Sequence, residues 1–225
     1  MFFIALDFND FKKFKEFVDK VIDIHKFFKV GLELFVSEGF KVIDYLKNKE
    51  AVVFLDLKLE DIPNTVKKTI KVLDNFEIDY LTLHISGGRE MLISAREGTN
   101  KIKLLGVSVL TSLSQEDLYD VGINLPLSAV VMKRVFLAKE CNLDGVVISG
   151  NFIEKVKQTI GKKFLVVVPG VRPEFYKEKD DQKQVITPKE AIKKGADFLV
   201  VGRAITNSQD PVSAIMKLRD ALSNK

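Results

Sequence analysis

Two kinds of pattern alternate along the chain. Eight short apolar runs, rich in β-branched and aromatic residues, read as strands: FFIALD (2–7), FFKVG (27–31), AVVFLDLK (51–58), YLTLHI (80–85), KLLGVSVL (103–110), GVVIS (145–149), FLVVVPG (164–170) and FLVVG (198–202). Between them, apolar positions recur every three or four residues, the signature of amphipathic helices. These stretches are FKKFKEFVDKVIDI, FVSEGFKVIDYLKNK, TVKKTIKVLDNF, REMLISAREG, SAVVMKRVFLAKEC, FIEKVKQTIG, PKEAIKKG and PVSAIMKLRDALS. Nearly uninterrupted apolar strands belong to parallel sheets buried on both faces. Helix entry is marked by a capping box at Thr187-Pro188-Lys189-Glu190 and by an N-cap followed by proline at Asp210-Pro211. Eight β/α units in 225 residues predict an α/β chain forming one (β/α)8 TIM barrel domain over residues 1–225. An open doubly wound sheet has fewer strands, and no dinucleotide-type glycine fingerprint follows the first run.

Composition alters this picture little. Apolar residues make up 46% and charged residues 29%, as in an ordinary globular protein with room for a large core. No low-complexity or linker-like stretch marks a domain boundary. The opening MFFIALDF lacks a basic leader and breaks at Asp7, so no signal peptide is expected. No apolar run approaches the roughly 20 residues of a membrane helix. The single cysteine, Cys141, excludes an intramolecular disulfide and fits a reducing cytoplasm; its helical context makes it a packing residue. The net charge of +4 favours anionic ligands in general. The lack of Lys/Arg clusters interleaved with aromatics argues against nucleic acid. Two separated histidines and one cysteine give no zinc constellation.

In a barrel, chemistry sits at the C-terminal strand ends, and polar residues gather there. The first run ends in Asp7 and the second carries Lys29. The third, within FLDLKLEDIPNT (54–65), ends in Asp56 and Lys58, with Asp61 in the turn that follows. Residues two apart on a strand share a face, so the Asp56 carboxylate and the Lys58 ammonium are expected side by side. A bland account is available: an ion pair at a strand end, with Asp61 capping the helix that Pro63 opens. Lys29 alone also reads as a lysine snorkelling from a strand end. A second cationic strand end beside the trio favours a site for a charged ligand. His84 lies in an apolar run and is expected as a hydrogen-bonded core residue rather than a base. The fifth run leads to Thr111, Ser112 and Ser114, and the seventh to Pro169-Gly170-Val171-Arg172. The eighth ends in Gly202-Arg203, where barrels often build phosphate sites. The polar stretch from Pro173 to Ile186 has the length of a lid or binding loop.

The pieces ALDF, FKVGLELF, FLDLKLEDIPNT, LTSLS, PGVR, the DQ of KDDQKQVITP, and VGR resemble the orotidine 5′-phosphate decarboxylase family, in order and across essentially the whole chain. The D-x-K-x-x-D-I-P-x-T core is specific; PGVR and VGR alone are weak. The resemblance implies a barrel that forms a homodimer with shared active sites, binds a nucleotide, and needs no metal or organic cofactor. It implies conversion of orotidine monophosphate to uridine monophosphate in the cytoplasm. It places Lys29, Asp56, Lys58 and Asp61 in an alternating charged network, Asp61 being supplied by the second subunit and Lys58 being the proton donor. Asp7 and Lys29 match ribose contacts, with Ile62 and Thr65 reaching across from the second subunit. Thr111 or Ser114 matches a pyrimidine contact. Arg172, Gln182, Gly202 and Arg203 match the phosphate site, with Gln184 as the alternative to Gln182 because loop length varies there.

The chemistry so implied suits these residues. Loss of carbon dioxide from C6 of the pyrimidine leaves an electron pair on a carbon that delocalises it poorly, so positive charge is needed close to C6 in the transition state. A lysine flanked by carboxylates stays protonated and can then deliver that proton. Two rivals remain. Sugar-phosphate lyases of the same suprafamily, such as 3-keto-L-gulonate 6-phosphate decarboxylase and hexulose-phosphate synthase, share Asp-x-Lys-x-x-Asp but bind magnesium. They carry an acidic residue where this chain has Lys29, and they lack the Ile62-Pro63 continuation. Glu33 nearby keeps that reading open. The other rival is a catalytically silent nucleotide-binding barrel, against which the retention of all four charges argues.

Overall fold

The computed structural model describes residues 1–176 and 186–223. Its strands are β1 (Phe2–Ala5), β2 (Phe27–Gly31), β3 (Val52–Leu59), β4 (Tyr80–His84), β5 (Lys103–Val107), β6 (Gly145–Val147), β7 (Leu165–Val168) and β8 (Phe198–Val201). All pair in parallel with their sequence neighbours, and β8 returns to β1, which closes the sheet into a barrel. Each of the eight apolar runs coincides with one strand. Most strands stop short of their runs, so that Asp7 lies in the loop beyond β1, whereas β3 runs one residue further, to Leu59.

The surrounding helices are α1 (Phe11–Val21), α2 (Leu32–Glu38), α3 (Lys41–Lys47), α4 (Pro63–Leu73), α5 (Gly88–Gly98), α6 (Gln115–Asp120), α7 (Leu127–Glu140), α8 (Ile153–Ile160), α9 (Pro188–Lys193), α10 (Arg203–Thr206) and α11 (Pro211–Ser223). The single helix expected from FVSEGFKVIDYLKNK is two, α2 and α3. Gly39 between them takes φ 63°, a conformation that ends a helix and that glycine adopts without a Cβ clash. The apolar periodicity does not announce α6 or α10, both too short to repeat an apolar face. The expected capping box is present, Thr187 with Glu190 opening α9, and a second one not read from the sequence, Ser114 with Asp117, opens α6.

Apolar side chains fill two compartments. The larger lies between strands and helices, where Ile4, Phe28, Val53, Leu55, Leu81 and Leu104 meet the inner faces of the helices. The smaller lies inside the barrel and holds Phe3, Ala5, Phe54, Tyr80, Leu105, Val167, Phe198 and Val200. Alternation along a strand sorts residues into these compartments. On β1 the inward series climbs from Phe3 through Ala5 to Asp7 in the following loop, and on β3 from Val52 through Phe54 to Asp56. Aromatics therefore plug the N-terminal end, with the Phe3 ring centroid 5.2 Å from Phe54, 5.4 Å from Tyr80 and 5.1 Å from Phe198. Small residues follow in the middle, and charge emerges at the C-terminal mouth. The next inward position on each strand is thus where a ligand would meet polar groups.

Candidate active site

The mouth holds a cavity of about 370 Å³. Ala5, Phe54, Val107, Val147 and Val200 line its apolar part, and Asp7, Lys29, Asp56, Lys58, Thr111, Arg172, Gly202 and Arg203 line its polar part. Eight of the residues expected at a site thus converge on one cavity from six strand ends.

Asp56 is the hub. Its Oδ1 accepts hydrogen bonds from Lys58 Nζ at 2.9 Å and from Thr82 Oγ1 at 2.9 Å, while its Oδ2 lies 3.4 Å from Lys29 Nζ. Lys29 Nζ also lies 3.7 Å from Asp7 Oδ1, so charges alternate from Asp7 through Lys29 and Asp56 to Lys58. Burial is the largest influence on the Asp56 carboxyl and works against its ionisation. The charges of Lys29 and Lys58, with the hydrogen bonds from Lys58 and Thr82, together outweigh it and hold the group below its usual range. Asp56 is therefore a largely buried anion with both oxygens engaged, and each lysine has an anion to face.

Asp56 and Lys58 do not meet by regular strand alternation. Leu55 pairs with Leu81 and Leu59 with Leu83, so Asp56, Leu57 and Lys58 of β3 face Thr82 of β4 alone. Lys58 absorbs the excess at φ 52°, a left-handed conformation that costs a non-glycine residue about 1–3 kcal/mol. Its displaced amide donates to Thr82 Oγ1 at 2.9 Å instead of to a neighbouring carbonyl. Thr82 was legible only as a polar residue inside YLTLHI, and nothing in the pattern marked it as a site residue.

Gly31 contributes by what it lacks. Its φ of −94° and ψ of −177° suit any residue, yet a Cβ there would lie 2.9 Å from Lys29 Nζ. The Lys29 ammonium occupies the space that a side chain would take.

Arg172 and Gly202-Arg203 reach the mouth from the ends of β7 and β8, the latter beside β1, where a Cβ at Gly202 would lie 3.5 Å from Asp7 Oδ2. Arg172 is set at the base of its loop, where its amide donates to Ile186 O at 3.0 Å and Val171 bridges Ile186. Arg203 opens the short helix α10 directly after Gly202, and the amides of Ile205 and Thr206 donate to Gly202 O at 2.8 and 3.1 Å. Gln182 and Gln184 lie outside the described residues. Tyr176, which the pattern did not single out, also lines the cavity.

Asp61, Ile62, Thr65 and Ser114 do not line this cavity. Asp61 does not cap α4: the N-cap position is Ile62, and Asp61 Oδ1 accepts from the adjacent Ile62 amide at 2.7 Å. Asp61, Ile62 and Thr65 are exposed on the rim, Ile62 strongly so at 68%. Ser114 is occupied in its capping box with Asp117, leaving Thr111 as the one of the pair that borders the cavity. His84 is half-buried rather than in the core. Burial above all holds its imidazole below the usual range; Glu60 opposes this, and Lys58 and Arg134 add to it. Cys141 is buried and its thiol is pushed up by that burial, as befits packing rather than nucleophilic chemistry. Among the described residues no group of three or more His, Cys, Asp or Glu is placed to hold a metal ion, and no helix is long and apolar enough to cross a membrane.

A parallel barrel with an alternating charged network and two arginines lining one cavity at its C-terminal mouth is the architecture of a barrel enzyme acting on a small anionic substrate. Comparison narrows the class: residues 1–218 match the model of the Orotidine 5'-phosphate decarboxylase / HUMPS family, and the chain belongs to that family. It is 46% identical over 211 residues to an orotidine 5'-phosphate decarboxylase of Carboxydothermus hydrogenoformans, covering 90% of this chain and 87% of that one. It is 41% identical over 227 residues to the one from Lactococcus lactis subsp. cremoris strain MG1363, covering 96% and 95%. The crystal structure of orotidine 5'-phosphate decarboxylase from Lactobacillus acidophilus superposes with a TM-score of 0.87 at 34% identity, covering 100% of this chain and 99% of that one.

Proposed function

We propose that the protein decarboxylates orotidine 5′-phosphate to uridine 5′-phosphate in pyrimidine biosynthesis, without metal or organic cofactor. The observation that carries this reading is the alternation of Lys29, Asp56 and Lys58 within 3.4 Å contacts at the cavity mouth, together with family membership. The bond from C6 to the carboxylate breaks, carbon dioxide leaves, and the electron pair stays at C6. Lys58 faces that carbon, stabilises the developing charge, and gives its proton to C6. Asp56 keeps Lys58 protonated and oriented, and its fixed negative charge disfavours the substrate carboxylate relative to the transition state. Lys29 and Asp7 take the ribose hydroxyls, and Thr111 takes the pyrimidine edge. Arg172, Arg203 and the backbone at Gly202 take the phosphate, whose binding holds the reactive arrangement.

The protein acts in the cytoplasm as a homodimer in which Asp61, Ile62 and Thr65 complete the neighbour's site. Support comes from their exposure on the rim, beside the cavity yet outside its lining. The Asp56-x-Lys58 pair is also compatible with a magnesium-dependent sugar-phosphate lyase, but a lysine at position 29 puts a cation where that chemistry needs an oxygen ligand.

Following the pyrimidine absorbance with orotidine 5′-phosphate, with and without a chelator, tests the proposal. Turnover unaffected by chelator is expected. Absence of turnover, or loss in chelator that magnesium restores, would overturn it. Sedimentation of the same preparation should give twice the 25.4 kDa chain mass, and a monomer would remove the shared-site reading.

A further inference from the structure

We infer that Thr82 is a positioning residue whose single hydroxyl sets the geometry of both Asp56 and Lys58. The inference rests on the proposed reading that these two form the reacting pair. Thr82 is fully buried and flanked on β4 by Leu81 and Leu83, so it is a polar residue in an apolar strand with no solvent to satisfy it. A hydroxyl has one proton to donate and lone pairs to accept with. The proton goes to Asp56 Oδ1 at 2.9 Å, and a lone pair receives the Lys58 amide at 2.9 Å.

Both bonds fall where the chain most needs them. Thr82 is the one β4 residue opposite three residues of β3, an excess of two, so it replaces the ladder partner that the bulge takes from Lys58. The left-handed conformation at Lys58 is disfavoured for any side chain with a Cβ and persists only where the surroundings hold it. That conformation turns the lysine back so that its Nζ reaches Asp56 at 2.9 Å, although the bulge interrupts the alternation that would otherwise align the two.

On the carboxylate, Thr82 and Lys58 share Oδ1 and leave Oδ2 to face Lys29. Without the hydroxyl, the carboxylate is free to rotate and the Lys58 amide is buried without its acceptor. Threonine suits this better than serine, because β-branching restricts χ1 and keeps the hydroxyl aimed.

The test compares Thr82→Val, which keeps shape and loses the hydroxyl, with Thr82→Ser, which keeps the hydroxyl. Misplacement of a reacting group by about an ångström costs on the order of 100-fold in rate. Thr82→Val is therefore expected to lower kcat on that scale with KM little changed, since the phosphate end is untouched. Thr82→Ser is expected to retain most of kcat. Wild-type kcat in Thr82→Val would overturn the inference, as would a raised KM with unchanged kcat. Equal impairment in Thr82→Ser and Thr82→Val would show that the site is damaged whether or not the hydroxyl remains, and would also overturn it. Should Thr82→Val fail to fold, Thr82→Ala against Thr82→Ser decides in the same way: a slow alanine variant beside a fast serine variant supports the role, and equal rates overturn it. Lys58→Ala measured alongside separates the two levels. An active Lys58→Ala removes the reacting pair itself, whereas an inactive one beside a fully active Thr82→Val removes only the role of Thr82.

Discussion

The two ends of the barrel are built from the same strands and differ in nearly every physical respect. At the N-terminal end, Phe3, Phe54, Tyr80 and Phe198 meet edge to face or tilted and seal the interior. At the C-terminal end the same strands present Asp7, Lys29, Asp56 and Lys58 around an open cavity. The interior of the plug end is apolar. The mouth stores backbone strain at Lys58 and keeps a carboxylate ionised against the cost of burial. Such an arrangement locates stability at one end and reactivity at the other, a few residues apart on each strand.

The sharpest way to break this comparison is to lesion each end in turn. Lys58→Ala should lower kcat by at least about 10²- to 10⁴-fold, the range for losing a general acid, and leave thermal stability near that of the wild type. Phe3→Ala, at a fully buried position, should cost about 3–5 kcal/mol in unfolding free energy while the folded fraction keeps its kcat. Denaturant titration beside steady-state kinetics checks both. Phe3→Ala with normal stability and collapsed kcat would dissolve the division of labour.

A second effect, of intermediate size, concerns acid. His25 lies at the plug end, stacked on Phe2 with centroids 4.4 Å apart and with its Nε2 2.9 Å from Phe27 O. Burial is the main cause that brings its pKa down to about 4 from 6.5, with the nearby Arg219 charge adding to it and hydrogen bonds to the backbone opposing it. The unfolded chain then binds more protons than the folded one between these values. The stabilisation is complete above about pH 6.5 and is lost as pH falls toward 4, by roughly 3 kcal/mol in all. Unfolding free energies measured across that window in the wild type and in His25→Gln should show a steeper acid slope in the wild type. Equal slopes would mean that His25 is not what makes the plug end acid-sensitive.

The smallest expected effect sharpens the picture at the mouth. Gly31→Ala puts a methyl 2.9 Å from where Lys29 Nζ stands, and a flexible lysine yields readily. The fold should lose no more than about 1 kcal/mol, chiefly because alanine is a poorer N-cap than glycine for α2. The displaced ammonium should nevertheless cost roughly tenfold in kcat, about 1.4 kcal/mol of barrier. Unchanged kcat would show that the cavity tolerates a shifted Lys29.

The barrel was legible in the sequence because each strand is a contiguous apolar run, and contiguity is what periodicity detects. The cavity was legible because Asp7, Lys29, Asp56, Lys58, Arg172 and Arg203 are charges at predictable places, the ends of those runs. What escaped was local and two-sided. The split at Gly39 and the short helices α6 and α10 depend on single caps rather than repeats. The bulge opposite Thr82 depends on a register between strands about two dozen residues apart, which no pattern within either strand encodes. Gly31 is invisible for another reason, since its role is a void and its neighbour's side chain defines it. The capping role offered for Asp61 failed because the chain turns one residue later, at Ile62.

Closure between β1 and β8 sets an order of events for the newborn chain. The first strand finds its second neighbour only when residues near 200 have been made: Leu199 N donates to Met1 O at 3.1 Å, and Ile4 pairs with Val201. Contacts so distant along the chain are slow to form, because the intervening segment must be ordered before they repay its entropy. Until then Phe3 has no Phe198 to pack against, and Asp7 has no Gly202 beside it. Asp7 and the Gly202-Arg203 segment therefore come into register in one late step, and a polypeptide halted before β8 would hold seven strands and no complete mouth.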